Sequence, residues 1–278
     1  MPRRTVMVGV CVLLLASACG GGPVGSVTDA DAIPELDLYE QPIADAPDPA
    51  DRAGAASNYV ECSYGIWSGG WALDYGPTGT GSDPEQAMAR FLDEDLFGLP
   101  ATGYALTGRD TDRVLYTYAV DGASKVAVIA ARSEAVGFDE LASGWVVETF
   151  ATCDPAEFDP SSDDEISVKV WRDADDNRVP TSIINSLQGA EHCGWESVTY
   201  LTYQDRTYVS DPNDMMDVPF VGTFDDNAEL PPDAVDTGYQ RDDRELWISA
   251  DGAIAYLVGD DRVEAWPAPE DPDSIWCD

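Results

Sequence analysis

The chain has 278 residues, 44% of them apolar, and its 53 acidic side chains outnumber 15 basic ones for a formal charge of −38. That field repels nucleic acid and anionic lipid headgroups, so DNA and RNA are excluded as partners. The length suits two ordinary domains, and a single histidine, His192, leaves little for histidine-based chemistry.

The first eighteen residues read as an export signal. Arg3 and Arg4 give a positive start, "VMVGVCVLLLA" is an uninterrupted apolar stretch from Val6 to Ala16, and Ser17 and Ala18 precede Cys19. This is the order of charge, apolar core and small-residue cleavage site. Eleven residues are too few to cross a bilayer, which needs about 20. The run "A-S-A-C" resembles the bacterial lipobox, in which the cysteine thiol receives a diacylglyceryl group and the chain is cleaved before it. Residues 1–18 are therefore expected to be a signal peptide and Cys19 the lipidated residue. The alternative is an ordinary secretory signal cut near Ala18. Residues 19–57 are rich in Gly, Pro, Ala and Asp and read as a disordered spacer, with "IPELDLYEQPI" the one cluster in it suited to docking.

Cysteine parity follows from this address. Cys11 leaves with the signal and Cys19 takes the lipid, so Cys62, Cys153, Cys193 and Cys277 remain. An even set in an oxidising compartment implies two disulfides. Of three connectivities, Cys62–Cys153 with Cys193–Cys277 is expected, because each pair brackets one block of patterned sequence.

The first block, 58–158, holds the clearest helix, "SDPEQAMARFLDEDLFG". Asp83 is its cap, Pro84 suits the first position and Gln86 stands three residues after the cap. Ala87, Met88, Phe91, Leu92 and Leu96 form its apolar stripe, and Gly98 ends it. "RVLYTYAV" and "KVAVIAAR" flank "DGAS" as a hairpin, and "GWVVETFATC" supplies a further strand. Apolar content collapses in "CDPAEFDPSSDDE", which marks a boundary. The second block, 165–278, opens with the strand "ISVKVW". "PTSIINSLQG" is expected as a short helix capped by Thr181 or Ser182. A hairpin, "VTYLTY" and "TYVS", follows around "QDR". "RELWIS", "AIAYLV" and "RVEAW" form a meander with turns at "ADG" and "GDD". Between hairpin and meander, residues 211–240 form a long connection of the kind that often carries function. The fold class is α+β: two small domains, each an antiparallel β-meander with one main helix, each closed by a disulfide.

Catalytic signatures are weak. His192 beside Cys193 suggests a cysteine nucleophile, but a disulfide removes the thiolate that such chemistry needs. No G-x-S-x-G occurs. "DADDNRVPTSII" begins like a calcium loop, yet Arg178 stands where the turn needs glycine and Ile184 where a bidentate glutamate belongs. A glycosidase needs two carboxylates at a set separation, and 53 acids nominate no particular pair. No residue is assigned a catalytic, cofactor-binding or metal-ligating role.

"NYVECSYGIWSGGWALDYG" interleaves Tyr59, Tyr64, Trp67, Trp71 and Tyr75 with glycine. Tyr64, Trp67 and Trp71 form a candidate contact surface, since exposed Trp and Tyr faces stack on sugars or apolar partner side chains. The competing reading packs them into the core beside Cys62.

Only Lys125 and Lys169 are lysines, and this arginine bias, with heavy use of Ala, Gly and Asp, points to a GC-rich bacterium. In "HCGWESV", "ELPPDAVDTGY" and "RELWISADGAIAYLV" the chain resembles exported actinobacterial lipoproteins, a group that brings no known chemistry with it. The expectation is an extracytoplasmic binding or accessory module without cofactor, anchored to the outer face of the cell membrane through its lipid. Its partner would be a protein or glycan of the envelope. An envelope hydrolase using a carboxylate pair is the alternative.

Overall fold

Leu36, Ile43 and residues 46–71, 79–93, 98–137, 144–163 and 166–275 are described by a computed structural model. The export signal, Cys19, most of the spacer, Tyr75 and Cys277 lie outside them, as does the side chain of Trp71. No helix among the described residues is long and apolar enough to cross a membrane.

The architecture is mostly antiparallel sheet with few helices. The first sheet contains β1 (Ile66–Trp71), β2 (Thr80–Gly81), β3 (Tyr104–Arg109), β4 (Arg113–Val120), β5 (Ala123–Arg132) and β6 (Trp145–Cys153). Its order is β1-β6-β5-β4-β3, with β2 paired to β6. β4 and β5 turn at Asp121-Gly122, as the Asp-Gly step predicts. β5 is apolar almost throughout because both faces of the sheet are covered. Val126, Val128 and Ala130 pack with Met88 and Phe91 of helix α2 (Pro84–Asp93), while Ala127 and Ile129 pack with Ala53, Ala55 and Ala56 on the other face. The α2 cap is as expected: Asp83 Oδ1 accepts the Gln86 N–H at 2.8 Å, and the Gln86 side chain accepts the Ser82 N–H at 2.9 Å.

The second face is closed by residues assigned above to the spacer. Asp48 caps α1 (Pro49–Ala53), a 3-10 turn continues over Gly54–Tyr59, and Ala53, Ala55 and Ala56 are buried. The body thus begins earlier than Asn58. Gly69 on β1 permits this approach, since a Cβ there would lie 2.7 Å from the Ala53 Cβ. The Thr149 hydroxyl donates to the carbonyls of Ala53 and Gly70, tying α1 to β1 and β6. Leu36, from the cluster suited to docking, packs against the same face.

The second half holds two four-stranded sheets. β7 (Val168–Val170), β8 (Ile184–Gln188), β9 (Thr199–Tyr203) and β10 (Arg206–Ser210) pair in the order β10-β9-β8-β7. β11 (Val235–Arg241), β12 (Arg244–Ile248), β13 (Ile254–Val258) and β14 (Val263–Pro267) form a meander. The two sheets share a core of Trp171, Ile184, Leu201, Tyr208, Leu246, Leu257 and Trp266.

The expected helix at "PTSIINSLQG" is β8 instead, and the described part of this half has 3-10 turns but no α-helix. "Each with one main helix" therefore fails here. Ile184 and Ser186 alternate inward, and Ser186 Oγ accepts from the buried Trp171 Nε1 at 3.0 Å. Thr181 caps nothing. Its N–H and hydroxyl both donate to Asp154, a carboxylate only 3% exposed. Asp154 also accepts from Ala156 N, and Arg178 donates to the Pro155 and Ala156 carbonyls and to Asp163. The boundary stretch, poor in apolar residues, is thus held by polar ties.

Cys62 and Cys153 are bonded, closing a separation of 91 residues. Cys193 is disulfide-bonded as well.

Candidate functional site

The loop from Glu61 to Gly65 is tied down at nearly every residue. Glu61 N donates to Ser124 O, and Lys125 Nζ donates to Glu61 O. Cys62 is bonded to Cys153 at the end of β6. Lys125 Nζ also lies 2.8 Å from Glu157 Oε2, with both side chains largely buried. The same carboxylate accepts the N–H groups of Ser63 and Tyr64 at 2.8–2.9 Å. Burial pushes the Glu157 carboxyl up, but the hydrogen bonds from Lys125, Ser63 and Tyr64 outweigh it and hold the group below the usual carboxylate range. Gly65, with φ of +89°, then turns the chain into β1.

On this clamped loop Tyr64 is 54% exposed. Trp67, three residues on in β1, is half-buried. Trp71 ends the strand, opposite Thr149. The structure therefore supports surface display for Tyr64 and partial burial for Trp67. The Cys62, Cys153 and Glu157 ligand atoms lie within 4.8 Å of one another. With the two sulfurs bonded to each other no thiolate is present, so this cluster is a structural tie and offers a cation only one carboxylate.

The other sequence leads resolve into structure. Cys193 is disulfide-bonded and His192 is exposed on the 3-10 turn Glu191–Cys193. Asp173 accepts from the backbone N–H groups of Asp175 and Asn177 and from Asn177 Nδ2. The side-chain bond from Asn177 comes first among the causes that hold its carboxyl below the usual range. "DADDN" is a self-bonded turn.

Among the described residues the buried acids are all partnered. Glu148 meets Arg113 at 2.8 Å, Asp154 meets Thr181, and Glu264 meets Arg244, Arg262 and Trp266 Nε1. Two open hollows are each lined by a pair of acids, Asp121 with Asp159 and Asp236 with Asp251. All four are exposed. Hydrogen bonds from Ser161 hold Asp159 below the usual carboxylate range, and those from Ala253 and Ser249 do so for Asp251. A glycosidase acid requires the opposite shift.

One feature escapes the sequence reading. β8, β9 and β10 present apolar residues on their outer face as well, where Val198, Val209, Met216 and Ile275 are buried with Trp195 and Tyr200 packed against them. Beside this cluster lies a cleft of about 280 Å³, lined by Leu187, Ala190, Trp195, Tyr200 and Ile275, with Gln188, His192, Thr202 and Thr207 also present. Alternation along β8 would have placed Leu187 on this face, but a helical reading groups it with Ile183 and Ile184. Compared with family models, curated proteins and solved structures, the chain matches none.

Proposed function

We propose that this chain is an exported binding module of the bacterial envelope, anchored through a lipid on Cys19 to the outer face of the cell membrane. It is of the kind found among actinobacterial lipoproteins, and contacts an envelope protein or glycan through Tyr64, Trp67 and Trp71. In this reading Cys193 pairs with Cys277, closing the second half as Cys62–Cys153 closes the first. The disulfide is compatible with an oxidising, extracytoplasmic setting.

The observation that carries the reading is Tyr64: a large exposed ring on a loop clamped by a disulfide and by a carboxylate accepting two successive N–H groups. A pre-ordered aromatic loses little freedom on binding, so its contact area is retained as affinity. The hydrolase alternative has less support, because the acids that line hollows are exposed and Asp159 and Asp251 are shifted downward.

The test is a photo-crosslinking amino acid in place of Tyr64 in the full chain, in cells, with the exposed Asp243 as control position. A discrete adduct at 64 and none at 243 is expected, with Tyr64→Ala retaining the circular dichroism spectrum of the wild type. Equal or absent adducts at the two positions would reject the contact surface. Turnover of an envelope glycan by the purified chain would reject the non-catalytic reading.

A further inference from the structure

We infer that the cleft on the outer face of the β7–β10 sheet is a binding site for a small, neutral, mostly apolar ring compound. It is a different site from the Tyr64 loop, and its construction begins in the strand pattern. In β8 and β9, Leu187, Tyr200 and Thr202 point away from the core that takes Ile184, Ser186 and Leu201. Among the described residues this outer face is covered by the segment 189–198, by Met216 and by Ile275, and the cleft opens beside them.

The wall is fixed. Gly189 N donates to Val198 O at 2.8 Å, and Cys193 N and Trp195 N both donate to Ala190 O at 3.2 Å. A disulfide holds Cys193. A Cβ at Gly189 would lie 2.3 Å from the Trp195 carbonyl oxygen, so glycine is required for the segment to lie this close to β8. A cleft with fixed walls keeps its volume when empty, which lowers the cost of binding.

The lining selects the ligand class. Leu187, Ala190 and Ile275 supply aliphatic surface, and Trp195 and Tyr200 supply rings. The Thr202 and Thr207 hydroxyls lie 3.3 Å apart, a polar pair able to meet one donor or acceptor of a ligand. Among the described lining residues there is no lysine, arginine or carboxylate, and His192 stands at the cleft as its one imidazole. An anion would face the net charge of −38 with no lysine or arginine among the described lining residues, and a cation would lose hydration without a carboxylate among them to receive it. A neutral ring compound meets neither cost.

The test uses two dyes that share their rings and differ in charge: neutral N-phenyl-1-naphthylamine and its anionic sulfonate, 1-anilinonaphthalene-8-sulfonate. The full chain carries Cys19→Ser, which removes the acyl chains and the need for detergent. The neutral dye should saturate at one equivalent with enhanced fluorescence, and the sulfonate should bind at least about tenfold more weakly. Ala190→Phe in the covering segment and Thr207→Phe on β10 should each weaken the neutral dye by about tenfold or more with unchanged circular dichroism. Tyr64→Ala should leave dye binding unchanged, which separates this site from the proposed contact surface. Absence of saturable binding to the parent chain, equal affinity for both dyes, or binding that survives both filling substitutions would overturn the inference.

Discussion

The Thr181 hydroxyl donates to Asp154 Oδ2 at 2.8 Å, joining the segment after β6 to the approach to β8. Asp154 is buried and accepts also from the N–H groups of Thr181 and Ala156. Thr181→Val keeps the shape and deletes one donor to this carboxylate. The expected loss is about 1–3 kcal/mol, the cost of an under-satisfied buried acceptor, read as a lower urea midpoint. Limited proteolysis of the variant should cut residues 154–163 faster than in the parent chain. Unchanged cleavage would show that this bond does not hold the segment.

Glu157 and Lys125 form a largely buried pair, so Glu157→Gln leaves an ammonium without its counter-ion. Breaking such a pair costs about 3–5 kcal/mol, measurable as a midpoint shift. The pH dependence has a definite sign. Against burial, the hydrogen bonds from Lys125, Ser63 and Tyr64 depress the folded-state carboxyl, so the unfolded chain takes up the proton first. The contribution is complete above the ordinary glutamate value of about 4.3 and declines as pH falls toward the depressed folded value. Glu157→Gln should make the profile shallower in that acid range.

Gly69 and Gly70 are adjacent in β1 yet differ in what a methyl group would meet. At Gly69 a Cβ lies 2.7 Å from the Ala53 Cβ and 2.9 Å from the Pro49 carbonyl, while at Gly70 nothing lies within 4 Å. Gly69→Ala should therefore destabilise by about 1–3 kcal/mol through overpacking and speed amide exchange in α1. Gly70→Ala serves as the near-neutral control. Equal effects would mean that α1 is not seated on β1 in solution.

Non-reducing peptide mapping should recover Cys62 linked to Cys153, as in the structure, and Cys193 linked to Cys277. Any other partner for Cys193 would reject the second pairing. Cys62→Ala with Cys153→Ala should cost about 4–5 kcal/mol by loop-entropy reasoning, seen in the urea midpoint.

Cys19→Ser should move the protein out of the membrane fraction or stall its processing, because two acyl chains give stable residence where one is marginal. Unchanged fractionation, with no lipid mass on the parent protein, would reject the anchor.

The elements legible in the sequence are those whose determinants are local. α2 is specified by Asp83, Pro84 and Gln86 within four residues, and Gln86 N indeed donates to Asp83. The β4–β5 hairpin is specified by Asp121-Gly122, and the β12–β14 meander by turn residues between strands. Cysteine parity likewise anticipates the Cys62–Cys153 bond. β8 was not legible, because Ile183, Ile184 and Leu187 fit a helical stripe as well as a short strand. Pairing with β7 and β9, and the Asp154 carboxylate 27 residues upstream of Thr181, decide the matter. The docking of α1 depends on the bare Gly69 meeting Ala53. The exposure of Tyr64 depends on Glu157, 93 residues away along the chain. Composition and spacing record which residues can form an element, whereas burial on one face or the other depends on what distant segments bring against it, and only the tertiary structure supplies that.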